Sequence, residues 1–306
     1  LSIWLVATIA IFTLVFQPVG AEIQLLVSVL TIAFLFIVTR FGGKGPWRYI
    51  ALATASIIVL RYAYWRTTNT LPPIDDLMSF IPGIMLYIAE MFCIFMFLIS
   101  VFVVSDPITR KPPQHQEDSD LPTVDVFVPS YNESKQILSL TLAAAASMDY
   151  PREKFNVYLL DDGGTDEKRN HADPDIAEAA TKRGRELKAL CADLGVNYLT
   201  RSENVHAKAG NLNSGLERTS GDVIAVFDAD HAPERSFLRE TVGYFAEDPD
   251  LFLVQTPHFF ANPDPVERNL GTYTRMPAEN EMFYTMIQKG LDRWNASFFC
   301  GSAALL

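Results

Sequence analysis

The apolar positions of the chain change their spacing about a third of the way along. Over the first hundred residues they form long runs, Leu1–Val19, Ile23–Thr39, Trp47–Trp65 and Leu77–Val104, each near or above the roughly 20 helical residues that cross a hydrocarbon core of about 30 Å. These runs predict a membrane region of about four helices over residues 1–104. The first run is not read as a signal peptide, because it lacks a basic n-region and a small-residue cleavage site and three more spans follow. Residues 105–121 are Pro-rich and charged with no apolar period, which predicts an exposed linker.

From residue 122 to 306 short apolar runs alternate with helical patterns: Val124–Val128, Glu133–Met148, Val157–Leu160, Asp173–Leu194, Val196–Leu199, Ala207–Arg218, Val223–Phe227, Glu234–Ala246 and Leu251–Gln255. Asp173 followed by Pro174 marks one helix start. Strand–helix alternation with continuously apolar strands predicts an α/β domain whose parallel sheet is covered on both faces. Ligands of such sheets bind beyond the carboxyl ends of the strands.

Composition sharpens the division. A 306-residue chain that is 49% hydrophobic with net charge -11 is no disordered tail, collagen-like fibre or disulfide scaffold. Residues 1–105 carry five Lys/Arg against four Asp/Glu, net +1, and the other 201 carry 20 against 32, net -12. That acidic half would repel nucleic acid, so no nucleic-acid partner is expected. A phosphorylated ligand would need a metal ion and a few placed cations. Three cysteines, Cys93, Cys191 and Cys300, with no CxxC spacing imply neither a disulfide framework nor a zinc site, as in a reducing compartment.

Basic residues orient the membrane region. Arg40, Lys44 and Arg48 lie between the second and third spans, and Arg110 and Lys111 follow the fourth, which sets both segments and the acidic half on the cytoplasmic side. Arg61 and Arg66 run against this. Glu90, in the middle of the fourth span, is read either as a carboxylate hydrogen-bonded between helices or as part of a polar path. The stretch from Arg61 to Arg66 could stack on sugars or form an interfacial aromatic belt.

Three short runs deliver polar groups at their carboxyl ends. Val124–Val128 leads to Tyr131 and Glu133, Val157–Leu160 to Asp161 and Asp162, and Val223–Phe227 to Asp228, Asp230 and His231. Adjacent parallel strands would gather these around one crevice. Acids two apart also occur at Asp118/Asp120, Asp173/Asp175 and Asp248/Asp250, but in the linker, at a helix start and in a turn. Only Asp228 and Asp230 follow a buried strand, where two side chains on one side give hard oxygen ligands to a Mg2+ or Mn2+ that also binds a diphosphate. The plainer role is capping the next helix. Lys208 opens a helix whose dipole favours phosphate, though a lone Lys there is usually a surface residue. His231 could be a further ligand, orient the phosphate, or be an exposed turn residue. Asp161 and Asp162 can accept from a base N–H or ribose hydroxyls, or the Asp-Gly-Gly run simply makes a tight turn.

Taken in order, Val126-Phe-Val-Pro-Ser-Tyr-Asn-Glu133, Leu160-Asp-Asp-Gly-Gly-Thr165, His206-Ala-Lys-Ala-Gly-Asn211, Phe227-Asp-Ala-Asp230 and Gln255-Thr-Pro-His-Phe-Phe260 resemble the motifs of glycosyltransferase family 2. With four spans before the domain, and with Gln255–His258 and Phe299-Cys-Gly-Ser302, the chain is similar to the branch formed by the catalytic subunits of bacterial cellulose synthases. The resemblance implies a Rossmann-like, glycosyltransferase-A type α/β domain facing the cytosol beneath a helical transmembrane bundle in the bacterial inner membrane. It implies Tyr131 and Glu133 at the uridine, Asp161 or Asp162 at uracil and ribose, Lys208 at the diphosphate, and Mg2+ or Mn2+ on Asp228 and Asp230. His258 within Gln255–Phe260, and Phe299, Cys300 and Gly301, would lie near the acceptor end of a glucan.

The implied reaction is processive and inverting. The acceptor's terminal 4-hydroxyl attacks the anomeric carbon of UDP-glucose, the four acids Asp161, Asp162, Asp228 and Asp230 serving donor and metal, and the β-1,4-glucan passes across the membrane. Implied partners are UDP-glucose, the growing glucan chain, membrane lipid, accessory synthase subunits, and cyclic-di-GMP through a domain outside this chain. The family's Thr-Glu-Asp base motif and Gln-x-x-Arg-Trp brace do not occur in these residues, which lack an initiator Met and stop in an apolar run. The expectation is a fragment that binds UDP-sugar but hardly polymerises, a base being worth about 10²–10⁴ in rate.

Rival readings are a chitin, hyaluronan or poly-N-acetylglucosamine synthase, and a lipid-linked sugar transferase, whose spans usually follow the domain. A haloacid-dehalogenase-type phosphotransferase would need a hydroxyl or β-branched residue where His231-Ala232 stand. A transporter leaves the strand-end acids without purpose. Met276, Met282, Met286, Tyr273, Phe283 and Ile287 give the segment Asp264–Trp294 an amphipathic face, which ordinarily packs on the core and is here expected to dock on the bilayer surface or the span bundle.

Overall fold

The computed structural model describes residues 9, 12–41, 45–278 and 280–306. Two units form: Leu1–Ile108 with Thr285–Ala296, and Thr109–Tyr284 with Ser297–Leu306. Most of the expected first span, and Lys44, lie outside the described residues; 12–16 are helical.

The first unit contains α1 (Ala21–Phe41), α2 (Pro46–Asn69) and α3 (Leu77–Ser105). Pro46 occupies the first turn of α2, where its missing N–H is no loss, and Asp76 caps α3 by accepting from the Ser79 N–H. Among the described residues, α1 and α3 are long and apolar enough to cross a membrane. The third expected span, α2, does not reach that hydropathy, because Arg48, Arg61 and Arg66 interrupt it. Two of the four expected spans are thus accounted for.

Glu90 is held between helices. Its Oε2 accepts from Arg66 Nε at 2.6 Å, while Arg66 Nη1 donates to the Thr70 carbonyl at 3.0 Å and to the Thr70 hydroxyl. Arg61 donates to Gln24 Oε1 and to the Leu14 carbonyl, each at 2.6 Å. Both arginines are therefore spent on contacts between helices, where an unpaired charge would be costly.

The short helix Gln288–Arg293 packs on α3. Trp294 stacks on Phe102 with ring centroids 4.5 Å apart, Arg293 Nη2 lies 3.0 Å from Asp106 Oδ2, and the Ile108 N–H donates to the Lys289 carbonyl at 3.0 Å. The amphipathic segment Asp264–Trp294 is thus divided. Its last ten residues belong to the helical unit and the rest to the second.

The second unit is built on β1 (Val124–Ser130), β2 (Phe155–Asp161), β3 (Asn197–Leu199), β4 (Val223–Val226), β5 (Val254–Gln255) and β6 (Ala304–Leu305), in the order β3-β2-β1-β4-β6-β5. Every residue of β1 is buried, as expected of a central, mostly apolar strand covered on both faces. Its one acid, Asp125, accepts from the Ser220 and Gly221 N–H groups at 3.1 and 2.6 Å. Leu138, Leu142, Leu159 and Leu187 pack the helices α4 (Lys135–Ala146) and α5 (Pro174–Leu194) onto the sheet. Asp173 caps α5 and Pro174 opens it.

The sheet departs from the all-parallel expectation: β1 to β4 are parallel, but β6 enters antiparallel between β4 and β5. Left-handed Gly301 (φ 90) and Ala303 (φ 48) turn the returning chain into that gap. The expected helix Glu234–Ala246 is two short ones, Phe237–Thr241 and Gly243–Glu247. Part of the expected linker lies along the second of these: Tyr244 donates to the Lys111 carbonyl, and the Gln114 N–H to Glu247 Oε1 at 2.7 Å.

Candidate functional site

The carboxyl ends of β2, β1 and β4, adjacent in the sheet, open on a cleft of about 460 Å³. Its lining includes Tyr131, Glu133, Asp162, Lys208, Asp228 and Asp230, with Ser130, Asn204 and Asn211. The other pairs of acids are occupied elsewhere. Asp173 caps α5, Asp118 pairs with Arg239 at 2.6 Å, and Asp248 accepts from the Asp250 N–H.

At the β1 and β2 ends the acids are tied to arginines. Asp161 is fully buried and not in the cleft lining; Oδ1 accepts from Arg183 Nε (2.9 Å) and the Gly163 N–H (3.0 Å), and Oδ2 from the Tyr198 hydroxyl (2.8 Å). Burial, and then the Asp161 carboxylate, push the Tyr198 hydroxyl well up, so it stays a donor. Asp162 does line the cleft, with its two oxygens on Arg201 Nε and Nη2 at 2.7 Å each. A carboxylate has about four acceptor positions, which leaves room for a ligand's hydroxyl or N–H.

Glu133 folds back on its own loop. Its Oε2 accepts from the Ser130 hydroxyl and the Tyr131 and Asn132 N–H groups at 2.8, 2.7 and 3.1 Å. Burial raises its pKa, but the N–H and hydroxyl donors and nearby Arg183 outweigh that and hold it below the usual carboxylate range. The loop so held presents Tyr131, 44% exposed, with the Lys168 ammonium 3.7 Å from its ring centroid.

At the β4 end, ladder pairing stops at Val226, so Asp228 and Asp230 lie in the following turn rather than on one strand face as expected. The Asp228 N–H donates to Ser302 Oγ at 2.8 Å, and its carboxylate pairs with Lys208. Asp230 is more open, its side chain 71% exposed and 3.9 Å from His231. Among the described residues no third His, Cys, Asp or Glu completes a metal cluster with them. Two hard oxygen donors facing a polar cleft still suit Mg2+ or Mn2+, which commonly takes one or two carboxylates and completes its shell with water and ligand phosphate.

Lys208 stands in the first turn of α6 (Ala207–Leu216). The turn before it is strained, with His206 at φ 60 and Ala207 at φ 45. Arg201 fastens it by donating to the Val205 and Ala207 carbonyls at 2.7 and 2.9 Å.

His258, Phe299, Cys300 and Gly301 do not line this cleft. They form a second group on and beside residues 298–303. His258 Nε2 lies 2.8 Å from the Ser302 carbonyl and Nδ1 2.8 Å from the Tyr284 hydroxyl, while Gln255 Oε1 accepts from the Cys300 N–H at 2.8 Å. Burial lowers the His258 pKa, favouring a neutral ring that donates from Nε2 and accepts at Nδ1. Gly301 connects the group to the cleft, its carbonyl accepting from Lys208 at 2.7 Å, and Ser302 Oγ also meets His231 Nδ1 at 2.7 Å.

The family model described as Glycosyl transferase family 2 matches residues 125–306, well over half of the chain and all of the cleft. The chain belongs to glycosyltransferase family 2. It is 39% identical over 306 residues to a protein of Xanthomonas axonopodis pv. citri named cellulose synthase catalytic subunit [UDP-forming], covering 100% of this chain and 39% of that protein. A protein of the same name from Pseudomonas fluorescens is 40% identical over 292 residues, 94% of this chain and 37% of the relative. The chain therefore spans well under half the length of the curated relatives it matches. Among solved structures, the mannosyltransferase PcManGT from Pyrobaculum calidifontis in complex with GDP-Man and Mn2+ is 25% identical with a TM-score of 0.37, over 54% of this chain and 43% of that one.

Within this family 2 domain, the sequence pattern did not single out Arg201 and Arg183, and it gave Ser302, the last residue of the Phe299–Ser302 motif, no role of its own. Arg201 stands two residues past β3, so the strand-end argument applied to Asp161 would have found it. Arg183 lies in α5, in a charged stretch 22 residues from its partner Asp161, and only the fold brings the two together.

Proposed function

We propose that the chain is the membrane-anchored, donor-binding part of a UDP-forming glycosyltransferase that extends a β-1,4-glucan from UDP-glucose. The observation that carries this is the meeting of Tyr131, Asp162, Lys208, Asp228 and Asp230 in one cleft at three adjacent strand ends. The two cellulose synthase relatives favour glucan as the product.

In this reading Tyr131, held by Glu133, faces the uridine, and Asp162, oriented by Arg201, accepts from the base or ribose. Asp161 keeps Arg183 and Tyr198 in place behind them. Asp228 and Asp230 hold Mg2+ or Mn2+, which when bound offsets the charge developing on the departing diphosphate. Lys208 donates to the same phosphates. His258, Phe299, Cys300 and Gly301 border the acceptor's path.

The apolar α1 and α3 support anchoring in a bacterial inner membrane. Arg40 and Arg48 at one loop, and Arg110 and Lys111 after α3, support a cytosolic domain. Lipid, the growing glucan, accessory subunits and a cyclic-di-GMP-binding domain elsewhere in the full protein complete the proposed set of partners.

Calorimetric titration of the detergent-solubilised chain with UDP-glucose and UDP-N-acetylglucosamine in Mn2+ tests the donor. Tighter binding of UDP-glucose is expected, and preference for the N-acetyl sugar would overturn the glucan assignment. Asp228→Asn removes a charged ligand worth about 1.5–3 kcal/mol, so metal-dependent UDP binding weakens about 10- to 100-fold.

A further inference from the structure

Lys208 does not extend freely into the cleft. Its ammonium is ion-paired with Asp228 Oδ1 and donates to the Gly301 carbonyl at 2.7 Å. The Lys208 and Asp228 side chains remain 39% and 36% exposed, so the pair forms part of the cleft wall and both ends can be reached from solvent. The residue best placed to neutralise a phosphate thus occupies an oxygen that a divalent cation would use.

We propose that Lys208 is a stand-in cation, which neutralises Asp228 until ligands arrive and makes a divalent ion and a nucleoside diphosphate bind cooperatively. This rests on the donor-site reading given above. A dication arriving alone must compete with the ammonium for Asp228 Oδ1 or sit beside it on Oδ2, against like charge either way. A diphosphate arriving alone finds Lys208 already partnered and the two aspartates facing it. When both arrive, the ammonium moves to phosphate oxygens, the ion takes the carboxylates, and no charge is left without a partner. Each ligand then tightens the other by the same factor, as linkage requires. The displaced ammonium also lets go of the Gly301 carbonyl, and so loosens the turn formed by Gly301 (φ 90) and Ala303 (φ 48).

The test uses the full chain in detergent, with Mn2+ binding followed by electron paramagnetic resonance in the absence of nucleotide and UDP binding by calorimetry at saturating Mn2+. Lys208→Met is expected to bind Mn2+ alone about fivefold tighter than wild type, the size of a half-exposed ion pair. The same variant is expected to bind UDP about tenfold weaker in saturating Mn2+, through loss of a charge-assisted contact. Lys208→Arg, which keeps the charge, holds Mn2+ affinity within about twofold of wild type. Opposite signs for the two ligands distinguish coupling from a merely structural role, which would weaken both. If wild type binds UDP with Mn2+ but Lys208→Met binds Mn2+ no tighter than wild type, the coupling is overturned and the donor-site reading stands. If wild type binds no UDP at any Mn2+ concentration, both are overturned.

Discussion

Arg201 does the most work of any single residue around the cleft. One guanidinium holds both oxygens of Asp162, the Asn204 side chain, and the carbonyls of Val205 and Ala207. Arg and Asp are each less than a tenth exposed, so the pair is buried and losing either partner strands a charge. Breaking such a pair costs about 3–5 kcal/mol. Arg201→Met is expected to lower thermal stability by that order, with Arg201→Lys restoring less than half because an ammonium cannot reproduce the planar fork. Thermal unfolding in detergent measures it, and a loss under about 1 kcal/mol would mean that Asp162 finds another partner. The same residue accounts for how His206 and Ala207 tolerate positive φ, since their strained turn is the one Arg201 ties down.

Among the elements, the strand ends position the chemistry, while the short helix Gln288–Arg293 shows how closely the helical unit is packed. A Cβ on Gly290 would come within 2.1 Å of the Val103 carbonyl oxygen of α3. Gly290→Ala must therefore push the helix away from α3, at a cost of about 1–3 kcal/mol. Faster proteolysis within residues 285–296 is the expected outcome, and protection equal to wild type would show that the two helices can shift apart freely. The strands of the second unit were legible from their apolar runs, because a central parallel strand buried on both faces has no room for alternation. The two-residue strand β6 was not, since Ala304 and Leu305 carry no periodicity and become a strand only between β4 and β5.

For the whole molecule, α1 and α3 display a broad apolar surface, with Leu25, Ile32, Phe36, Met85 and Phe92 all more than half exposed. Such area is far beyond what a soluble monomer leaves uncovered. The chain is expected to sediment with membranes and to resist a high-pH carbonate wash, whereas release into the supernatant would contradict anchoring. The sequence alone pointed to two parts, because twenty-residue apolar runs and short apolar strands have different periods, whereas the fold takes Thr285–Ala296 into the helical unit. It also determined the family, and it singled out Tyr131, Asp162, Asp228 and Asp230 after adjacent strands and Lys208 at a helix start, residues that line one cleft. Only the tertiary structure decided that Asp161 is buried behind the site, that Arg201 and Arg183 hold the acids, that Glu90 is paired with Arg66, and that Lys208 rests on Asp228. Those are pairings of charges 20 to 40 residues apart, and a charge's partner depends on which groups share its desolvated space, which spacing along the chain does not record.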